Sequence, residues 1–470
     1  MARAVTAPLV VVSNRGPVAF HFGENDEPVA GRAGGGLAST LGAGVRGDDV
    51  VWVAATMNDA DRAAAKGADP DGELRYHGYR LRLVDVAAET YAAAYNVVAN
   101  ETLWFWHHHM FDSAQRPRLD AAFRAAWESF RELNLALATA AAKAAAPNAT
   151  VLLHDYQMAL VPAMLRAQRP DVHISHFTHT PWVDPALIGL LPDDIVDELL
   201  LGMGGADACG FHAPRWADAF TGCWRACHAT RALDPPRTYV APAAADHDEV
   251  ARVAAGPECA REVAVFDAAV GDRACIVRVD RIEPSKNLLR GLWAYREFLS
   301  AHPEWRNNVC LLAMCYPSRE SLAEYQQLFL DVVEAAGALN REFGTDDWTP
   351  VILDTNDDFA RSVAGLRRAD VLLVNPIRDG LNLVAYEGPA INERDATLVL
   401  SREAGAWDEL APAGAVVINP FDVVGTAEAL RFALSLDPDE RATRHATLRA
   451  VATARTPAEW LAKQIAAVRA

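Results

Sequence analysis

One strand–turn–helix segment in the last quarter of the chain most constrains the fold. Residues 369–374 are almost all apolar and are typical of a buried strand, residues 378–381 form a polar glycine turn, and a helical pattern begins near Asn382. A strand that leads through such a turn into a helix directs several backbone N–H groups toward one point, where the helix dipole attracts phosphate. Asp379 lies in the turn and Glu387 about one and a half turns into the helix, so two carboxylates are available to sugar hydroxyls. The segment therefore predicts a nucleotide-sugar site.

The rest of the chain alternates short apolar runs with longer amphipathic stretches, which indicates α/β construction. The expected strands are Leu9–Val12, Val50–Ala54, Val151–His154, His173–Thr178, Ala208–Phe211, Cys275–Val279, Val309–Met314, Val371–Val374 and Thr397–Leu400. The expected helices are Ala121–Ala145, Ala159–Gln168, Leu288–Ala301, Leu322–Phe343 and Pro457–Val468. The proline-containing stretch Pro235–Ala264 has weak periodicity, so we expect it to join two halves near residue 240. Two Rossmann-like halves would bind ligands in a cleft at the carboxyl ends of their strands.

Composition narrows the class of protein. The chain has 470 residues, 51% of them hydrophobic, and no apolar run long enough for a membrane span or a signal peptide. Its seven cysteines are an odd number and several lie in apolar runs, which favours reduced thiols and a cytoplasmic location. Cys223, Cys227 and His228 could suggest a metal, but their spacing also fits one helix face. A net charge of −18 disfavours nucleic acid and anionic membranes as partners.

Polar residues follow several of the expected strands in the first half. Gly31–Leu37 contains three consecutive glycines after the first strand, which suits either an anion site or a flexible loop, and it lacks the dinucleotide motif GxGxxG. Arg15 also ends that strand, as a ligand or a surface charge. Asp155 and His179 end later strands, although a histidine there is commonly a core residue. The triplet His107–His109 resembles a metal site, but in a strand adjacent side chains alternate faces, so we interpret it as structural or incidental.

Two cations follow a strand in the second half. Arg281 and Lys286 come directly after Cys275–Val279, where both would project from the strand end. Fixed cations can neutralise a leaving diphosphate without a metal ion. The alternative is a solvated turn held by salt bridges. The stronger argument is that all these candidates lie at strand ends of one α/β chain.

The residues in these segments resemble those of the trehalose-6-phosphate synthases, retaining glycosyltransferases with the GT-B fold. The resemblance covers nearly the whole chain. It rests on Ser13-Asn14-Arg15, the AGGGL loop, Tyr95-Asn96, Leu103-Trp104, the HDYQ and HTPW segments, Arg281 and Lys286, Pro317-Ser318-Arg319, RDGLNLVAYE and Asn419–Asp422. It implies an acceptor-binding Rossmann-like domain at 1–240, a nucleotide-sugar-binding one at 241–455, and a terminal helix at 456–470 that packs back on the first.

The resemblance also implies roles for individual residues. The donor diphosphate would be held by Gly35, Gly36, Arg281, Lys286 and the backbone amides of Leu381, Asn382 and Leu383. Glu387 would accept from the ribose hydroxyls, and His179 and Asp379 would contact the transferred glucose, so that Arg281, Lys286, His179 and Asp379 form the catalytic set. The acceptor glucose 6-phosphate would be bound by Arg15, Tyr95, Trp104, Asp155 and Arg319.

The implied reaction moves glucose from a nucleoside diphosphate to the anomeric hydroxyl of glucose 6-phosphate with retention. Retaining hydrolases use two carboxylates, one as a nucleophile. The family resemblance instead implies a front-face mechanism, in which the leaving phosphate oxygen takes the acceptor proton. It implies no metal or cofactor, and it suggests a homo-oligomer.

Several departures from the family pattern leave alternatives open. VDRIEPSKN replaces a segment like LDYSKG, Gln157 departs from HDYHL, and Gly388-Pro389 should interrupt or kink the helix after the turn. Some relatives are pseudo-glycosyltransferases that join cyclitols and lose the arginines corresponding to Arg15 and Arg378, both kept here. A catalytically silent sugar-phosphate sensor is a third hypothesis. Asp357 and Asp358 fall where the base would bind, and such a carboxylate pair favours guanine over uracil, hence GDP-glucose over UDP-glucose.

Overall fold

The computed structural model describes residues 6–32, 37, 40–41, 44–69, 72–319 and 322–469. It divides into two compact units, the first formed by Met1–Ala243 with Pro457–Ala470 and the second by Ala244–Thr456. The chain thus enters the second unit just after Ala243, where the sequence suggested residue 240, and its last helix belongs to the first unit. Within the described residues, no helix is both long enough and apolar enough to cross a membrane.

The first unit is built on a largely parallel sheet. Its strands are β1 (Ala7–Ser13), β2 (Val18–Phe22), β3 (Pro28–Arg32), β4 (Val50–Ala55), β5 (Leu74–Tyr76), β6 (Tyr79–Val84), β7 (Ala145–His154), β8 (His173–Thr178), β9 (Ala208–Phe211) and β10 (Arg237–Val240). Among the described residues, eight of them form one sheet in the order β10-β9-β8-β7-β1-β4-β6-β5, in which only the β5–β6 pair is antiparallel. β2 and β3 form a separate antiparallel ribbon.

Helices cover this sheet, and the longest supplies much of the core. Helices span Asp59–Lys66, Ala88–Ala92, Trp104–His107, Ala121–Ala144, Val161–Gln168, Asp193–Met203, Pro214–Ala226 and Pro457–Arg469, with a π-helix at Ala93–Leu103. Asp120 caps Ala121–Ala144 by accepting from the N–H groups of Ala122 and Phe123. That helix then buries Trp127, Phe130 and other residues of one face.

The second unit contains a fully parallel sheet. Its strands are β11 (Ala274–Arg281), β12 (Val309–Tyr316), β13 (Val351–Asp354), β14 (Val371–Val374), β15 (Thr397–Ser401) and β16 (Val416–Ile418), in the order β13-β12-β11-β14-β15-β16. Helices span His247–Ala254, Pro257–Val270, Leu288–Ala301, Ala323–Phe343, Phe359–Arg368, Val384–Ile391, Trp407–Leu410, Val423–Leu434 and Pro438–Ala452. The two parallel sheets with helical crossovers confirm the predicted α/β class with two Rossmann-like halves.

Three local features differ from what the sequence suggested. The chain passes from the first unit to the second within Pro235–Ala264, but this stretch is more regular than its weak periodicity indicated, since it contains β10, the whole helix His247–Ala254 and the start of the helix Pro257–Val270. Pro257 lies in the first turn of that last helix, where a proline is tolerated. Gly388 and Pro389 lie within the helix Val384–Ile391 without interrupting it, and Gly388 lies close to β14, since a Cβ there would lie 2.4 Å from Leu372 Cδ1. The three histidines 107–109 are not in a strand but at the end of the helix Trp104–His107.

Candidate active site

The predicted site residues gather where each sheet changes the direction of its strand order. β1 lies between β7 and β4, and β11 lies between β12 and β14. Ligands of such sheets bind beyond the carboxyl ends of the strands at these points, because neighbouring connections diverge to opposite faces there. Arg15 follows β1 and Asp155 follows β7 in the first unit; Arg281 ends β11 and Asp379 follows β14 in the second.

Lys286 and Asp379 form an ion pair in the second unit. Lys286 Nζ lies 2.6 Å from Asp379 Oδ2, and the two side chains are 14% and 16% exposed. Burial by itself lowers the pKa of Lys286, but nearby carboxylates, Asp379 first among them, outweigh it and hold that pKa above its usual value. The lysine is therefore a fixed cation at neutral pH.

The turn that carries Lys286 is tied to the segment that carries Asp379. The Ile377 N–H donates to Ser285 O at 2.8 Å, and Asn287 Nδ2 donates to Asn375 O at 3.0 Å. Asn287 adopts a left-handed conformation, with φ 59°, which turns its amide toward that segment. Hydrogen bonds therefore join the turn that carries Lys286 and the segment that carries Asp379 into one assembly.

A buried arginine supports the same turn from beneath. Arg278 Nη2 donates to Asp280 Oδ2 at 2.8 Å and to the Lys286 carbonyl at 2.9 Å. Burial raises the pKa of Asp280 even though Arg278 and Lys286 lie near it. Gly291 provides the space, since a Cβ there would meet Arg278 Nη1 at 2.4 Å. No sequence signal identified Arg278, because its strand position is typical of an apolar residue.

Arg281 and Arg319 lie on the more exposed side of this assembly. Arg281 Nη1 pairs with Glu283 Oε1 at 2.8 Å, and the arginine side chain remains 46% exposed while the glutamate is buried. The Arg319 guanidinium donates to Tyr325 Oη and lies over its ring, 5.4 Å from the centroid. The positive charge of Arg319 acts against that of Arg281, so an anion that contacts both would be favoured.

The turn after β14 has its predicted form. Asp379 Oδ1 accepts from the Leu381 N–H at 3.3 Å, and Asn382 has φ 82°. Leu383 directly precedes the helix Val384–Ile391, whose first N–H groups lack partners inside the helix. Gly405 allows a second loop to approach, since a Cβ there would lie 1.9 Å from Gly380 O. A rigid turn therefore leads into a helix N-terminus.

Glu387 lies half-buried in that helix. Burial raises its pKa to about 7, since among the described residues no cation compensates for the lost hydration. A poorly hydrated carboxylate of this kind is strongly stabilised by a ligand whose hydroxyl groups donate hydrogen bonds to it.

The two aspartates of the predicted base pocket differ in structure. Asp358 caps the helix Phe359–Arg368 by accepting from the Arg361 N–H at 2.9 Å, and both aspartates are exposed. The carboxylate of Asp358 thus has a structural partner, which weakens the argument that this pair selects guanine.

In the first unit, the end of β1 is held by its neighbours. Trp52 Nε1 donates to Ser13 Oγ at 2.8 Å, and Asn14 Nδ2 donates to Tyr91 Oη at 3.0 Å. Tyr91 stacks on Tyr95 with centroids 5.3 Å apart. Arg15 is exposed just beyond these residues. An exposed cation and an aromatic ring thus lie beside one strand end.

Trp104 is deeply buried, which is more typical of a structural residue than of one that contacts a ligand. It stacks on His108 at 4.1 Å, and His108 Nδ1 lies 2.7 Å from the Trp104 carbonyl. His109 Nε2 accepts from the Asp184 N–H at 2.9 Å. Two of the three adjacent histidines therefore hold local backbone, in keeping with the structural interpretation.

Asp155 and His179 are joined through the backbone. Asp155 Oδ1 accepts from the His179 N–H at 3.0 Å. Asp155 has φ 77° and ψ 168°, a conformation that is essentially restricted to glycine. Strain of this kind is concentrated at functional sites. His179 also contacts His154 and His212, which the sequence interpretation did not single out although each lies at a strand end.

Two further predictions concern the glycine loop and a metal ion. Gly35 and Gly36 fall outside the described residues. Among the residues that are described, no group of three or more His, Cys, Asp or Glu side chains is arranged to hold a metal ion.

Comparisons with known proteins agree on one family. The model of glycosyltransferase family 20 matches residues 7–470. A bifunctional trehalose-6-phosphate synthase/phosphatase of Thermoproteus tenax is 32% identical over 453 residues, which are 93% of this chain and 60% of that protein. A validamine 7-phosphate valienyltransferase of Streptomyces hygroscopicus is 31% identical over 463 residues, covering 93% of this chain and 89% of the relative.

A solved structure is similar over almost its full length. An α,α-trehalose-phosphate synthase (UDP-forming) from Burkholderia vietnamiensis has a TM-score of 0.84 and 26% identity, with 98% of this chain and 99% of that chain covered. The chain spans about 60% of the length of the Thermoproteus relative.

Proposed function

Because this chain belongs to glycosyltransferase family 20, we propose that it transfers glucose from UDP-glucose to the anomeric hydroxyl of glucose 6-phosphate, giving trehalose 6-phosphate. The observation that carries the proposal is the assembly in the second unit. There Arg281 and Lys286 flank a strand–turn–helix segment with Asp379 and Glu387. It combines two cations, a helix N-terminus and two carboxylates, which are the groups a nucleoside diphosphate sugar requires.

The residues divide the work of the reaction. The bond between glucose C1 and the β-phosphate oxygen breaks, and C1 bonds to O1 of the acceptor on the same face. The acceptor proton passes to the leaving phosphate oxygen, so configuration is retained without a protein nucleophile. Arg281 and Lys286 stabilise the negative charge that develops on the diphosphate.

The remaining donor contacts follow from the turn after β14. The backbone amides of Leu381, Asn382 and Leu383 bind the diphosphate, with Gly35 and Gly36 in the same role. Asp379 accepts from glucose hydroxyls, and Glu387 accepts from the ribose. The raised pKa of Glu387 supports this role, because hydroxyl donors would restore the hydration that it lacks.

The acceptor contacts are proposed residue by residue from the family resemblance. Arg15 and Arg319 bind its phosphate, Asp155 accepts from its hydroxyls, and Tyr95 and Trp104 bound the sugar. The exposure of Arg15 beside the stacked pair Tyr91 and Tyr95 supports this assignment. Trp104 is assigned to the sugar on the family resemblance alone, since its ring is buried against His108.

We propose uracil as the donor base. The Asp358 carboxylate already accepts from the Arg361 N–H, so the pair offers fewer free acceptor positions to a guanine base than the sequence suggested. The similar structure from Burkholderia is named as UDP-forming, which also favours this choice over our expectation of GDP-glucose.

A second candidate is valienyl transfer, as in the name of the Streptomyces relative. Arg15 and Arg378 are both present here, which favours the sugar substrate. Cytoplasmic location and a homo-oligomeric state stay predictions; the seven cysteines are all buried as free thiols.

Product analysis tests the proposal. The purified chain is incubated with glucose 6-phosphate and UDP-, GDP- or ADP-glucose in separate reactions, and released nucleotide and disaccharide phosphate are quantified. We expect trehalose 6-phosphate and UDP in equal amounts, with the other donors at least tenfold slower. A clear GDP preference would overturn the base assignment, and no product with any of the three donors would overturn the proposed function.

A further inference from the structure

Three histidine rings form a continuous chain in the first unit. His154 Nδ1 lies 3.1 Å from His179 Nε2, and His179 Nδ1 lies 3.2 Å from His212 Nε2. At its far end, His212 Nδ1 lies 3.2 Å from the backbone N of Ala243. Each nitrogen pair is at hydrogen-bond distance and the rings follow one another, so their nitrogens do not converge on a common point as metal ligands would.

The register of three neighbouring strands builds this chain. His154 of β7 is paired with Phe177 of β8, which is paired with Gly210 of β9. Paired residues point to the same face, and so do residues two apart, which places His179 and His212 on that face as well. Gly210 leaves room for Phe177, because a Cβ there would meet Phe177 Cδ2 at 2.4 Å.

A helix closes this face of the sheet. Trp460 of the helix Pro457–Arg469 lies over the histidines, with its ring centroid 6.0 Å from His154 and 5.9 Å from His179. Its Nε1 donates to Ala241 O at 2.9 Å, which fixes the indole. The histidine chain therefore lies largely out of water, and His154 is completely buried.

One backbone group sets the direction of every proton in the chain. The Ala243 N–H can only donate, so His212 Nδ1 must accept and the proton of His212 lies on Nε2. His179 Nδ1 then accepts from His212, and His179 carries its own proton on Nε2, directed at His154 Nδ1. His154 in turn is protonated on Nε2, a buried atom for which the described part of the chain offers no hydrogen-bond partner.

The rings are also kept neutral. Burial lowers the pKa of His154 to about 3 and holds the pKa of His179 well below its usual value, with the neighbouring rings adding to the effect. A protonated His179 would have no acceptor at Nδ1, because His212 Nε2 already donates to that atom.

We propose that His212 is a positioning residue that, through the Ala243 N–H, fixes His179 as the neutral tautomer with its proton on Nε2. The proposal rests on the proposed function in one respect: His179 is assigned to the transferred glucose. On that assignment His179 shapes the sugar site and acts neither as a general acid nor as a cation. His212 would affect the reaction without contacting a substrate.

Nuclear magnetic resonance tests the tautomer without any substrate. Protein labelled with ¹⁵N in histidine gives separate Nδ1 and Nε2 resonances, which distinguish the two neutral forms and the imidazolium. We expect His179 at pH 7 to be neutral and protonated on Nε2, and to lose this single form in His212→Phe. A wild-type His179 protonated on Nδ1, or charged, would overturn the proposal even if the enzyme is active.

Kinetics test the functional consequence with matched variants. His212→Phe keeps an aromatic ring but removes both nitrogens, whereas His212→Gln keeps an N–H donor of similar reach. The control is His176→Phe, which alters an equally buried histidine of β8 that is not in the chain. We expect kcat to fall at least tenfold in His212→Phe, to stay within threefold in His212→Gln, and to change less than twofold in His176→Phe.

Binding of UDP separates positioning from loss of fold. UDP affinity within twofold of wild type in all three variants is expected, because neither His212 nor His176 is assigned to the nucleoside diphosphate. Equal losses of kcat in His212→Phe and His212→Gln, or a loss in His176→Phe as large as in His212→Phe, would reduce His212 to a packing residue and overturn the proposal. Absence of turnover in the wild type would count against the proposed function alone, and the resonance measurement would still decide the tautomer.

Discussion

Lys286 is the residue on which the proposed chemistry depends most directly. Its Nζ is held 2.6 Å from Asp379 Oδ2 and its side chain is only 14% exposed, so little further ordering of the lysine is needed when a diphosphate binds. We expect Lys286→Ala, and separately Arg281→Ala, to lower kcat by two to three orders of magnitude, about the effect of losing one charge-stabilising donor. Initial rates with UDP-glucose and glucose 6-phosphate measure this. Arg296→Ala removes an exposed pair with Glu342 and serves as the control, and near-normal rates for both site variants would refute the diphosphate assignment.

Glu387 gives a second prediction at the residue scale, on stability. The pKa of Glu387 in the folded state, about 7, lies above the ordinary 4.5. The contribution of this group to the free energy of unfolding is therefore fully present below pH 4.5 and is lost as pH rises through 7. Without ligand, Glu387→Gln should therefore be more stable than wild type at pH 8 by on the order of 2 kcal/mol. At pH 4.5 the two proteins should be almost equally stable. Urea unfolding at the two pH values measures the difference.

The same variant should bind UDP-glucose more weakly, since an amide accepts a ribose hydroxyl less strongly than a carboxylate. Glu334→Gln, in an exposed pair with Arg341, is the control for a change of surface charge. A Glu387→Gln protein no more stable than wild type at pH 8 would show that the carboxylate is adequately hydrated in the unliganded state.

At the scale of elements, the turn between β7 and the following helix combines strain with a site residue. Asp155 holds φ 77° and ψ 168° while its carboxylate accepts from the His179 N–H. Asp155→Ala and Asp155→Gly both lose the carboxylate, but only glycine adopts this conformation without strain. We expect the glycine variant to be more stable than the alanine variant by about 1 to 2 kcal/mol, after the greater entropy of unfolded glycine is deducted.

Both Asp155 variants should have much reduced activity, because both lack the acceptor that is assigned to the sugar. Chemical unfolding and acceptor KM, measured side by side, separate the two effects. An alanine variant as stable as the glycine variant would mean that the turn relaxes when its carboxylate is absent.

Elements with a strong pattern were predictable, and the contacts between them were not. Ala208–Phe211 and Val371–Val374 are strands with the expected bounds, because apolar runs that are buried on both faces give a clear signal. Pro257 was misinterpreted, since the same residue that breaks a helix interior also starts a helix. The positive φ of Asp155 leaves no trace in residue type.

For the candidate site, the sequence indicated which strand ends hold polar side chains but not how those side chains pair. Arg281, Lys286 and Asp379 were identified as candidates, and the Lys286–Asp379 ion pair became visible only with β11 beside β14. Arg278 could not be found, because a buried arginine depends on the space that Gly291 leaves. The histidine chain likewise depends on the register of β7, β8 and β9, which a single sequence does not determine.

At the scale of the whole molecule, buried neutral histidines predict an acid-sensitive fold. The pKa of His154 is lowered to about 3 and that of His176 to about 4, and the pKa of His179 also lies well below 6.5. Each is neutral when folded but takes up a proton when unfolded, so stability is lost as pH falls below 6.5. Each histidine should contribute about 1.4 kcal/mol per pH unit to this loss until its folded-state pKa is reached.

His176→Phe removes one such histidine, together with the repulsion by which it helps to lower the pKa of His154 and of His179. Between pH 6 and pH 4.5, the free energy of unfolding of this variant should fall less steeply than that of wild type, by about 1.4 kcal/mol per pH unit. Above pH 7.5 the two pH dependences should run parallel, because the histidine is then neutral in both states. Urea unfolding at half-unit steps of pH measures both ranges. Parallel curves throughout would mean that His176 is protonated equally in the folded and unfolded states, and that its burial does not limit the stability of the fold in acid.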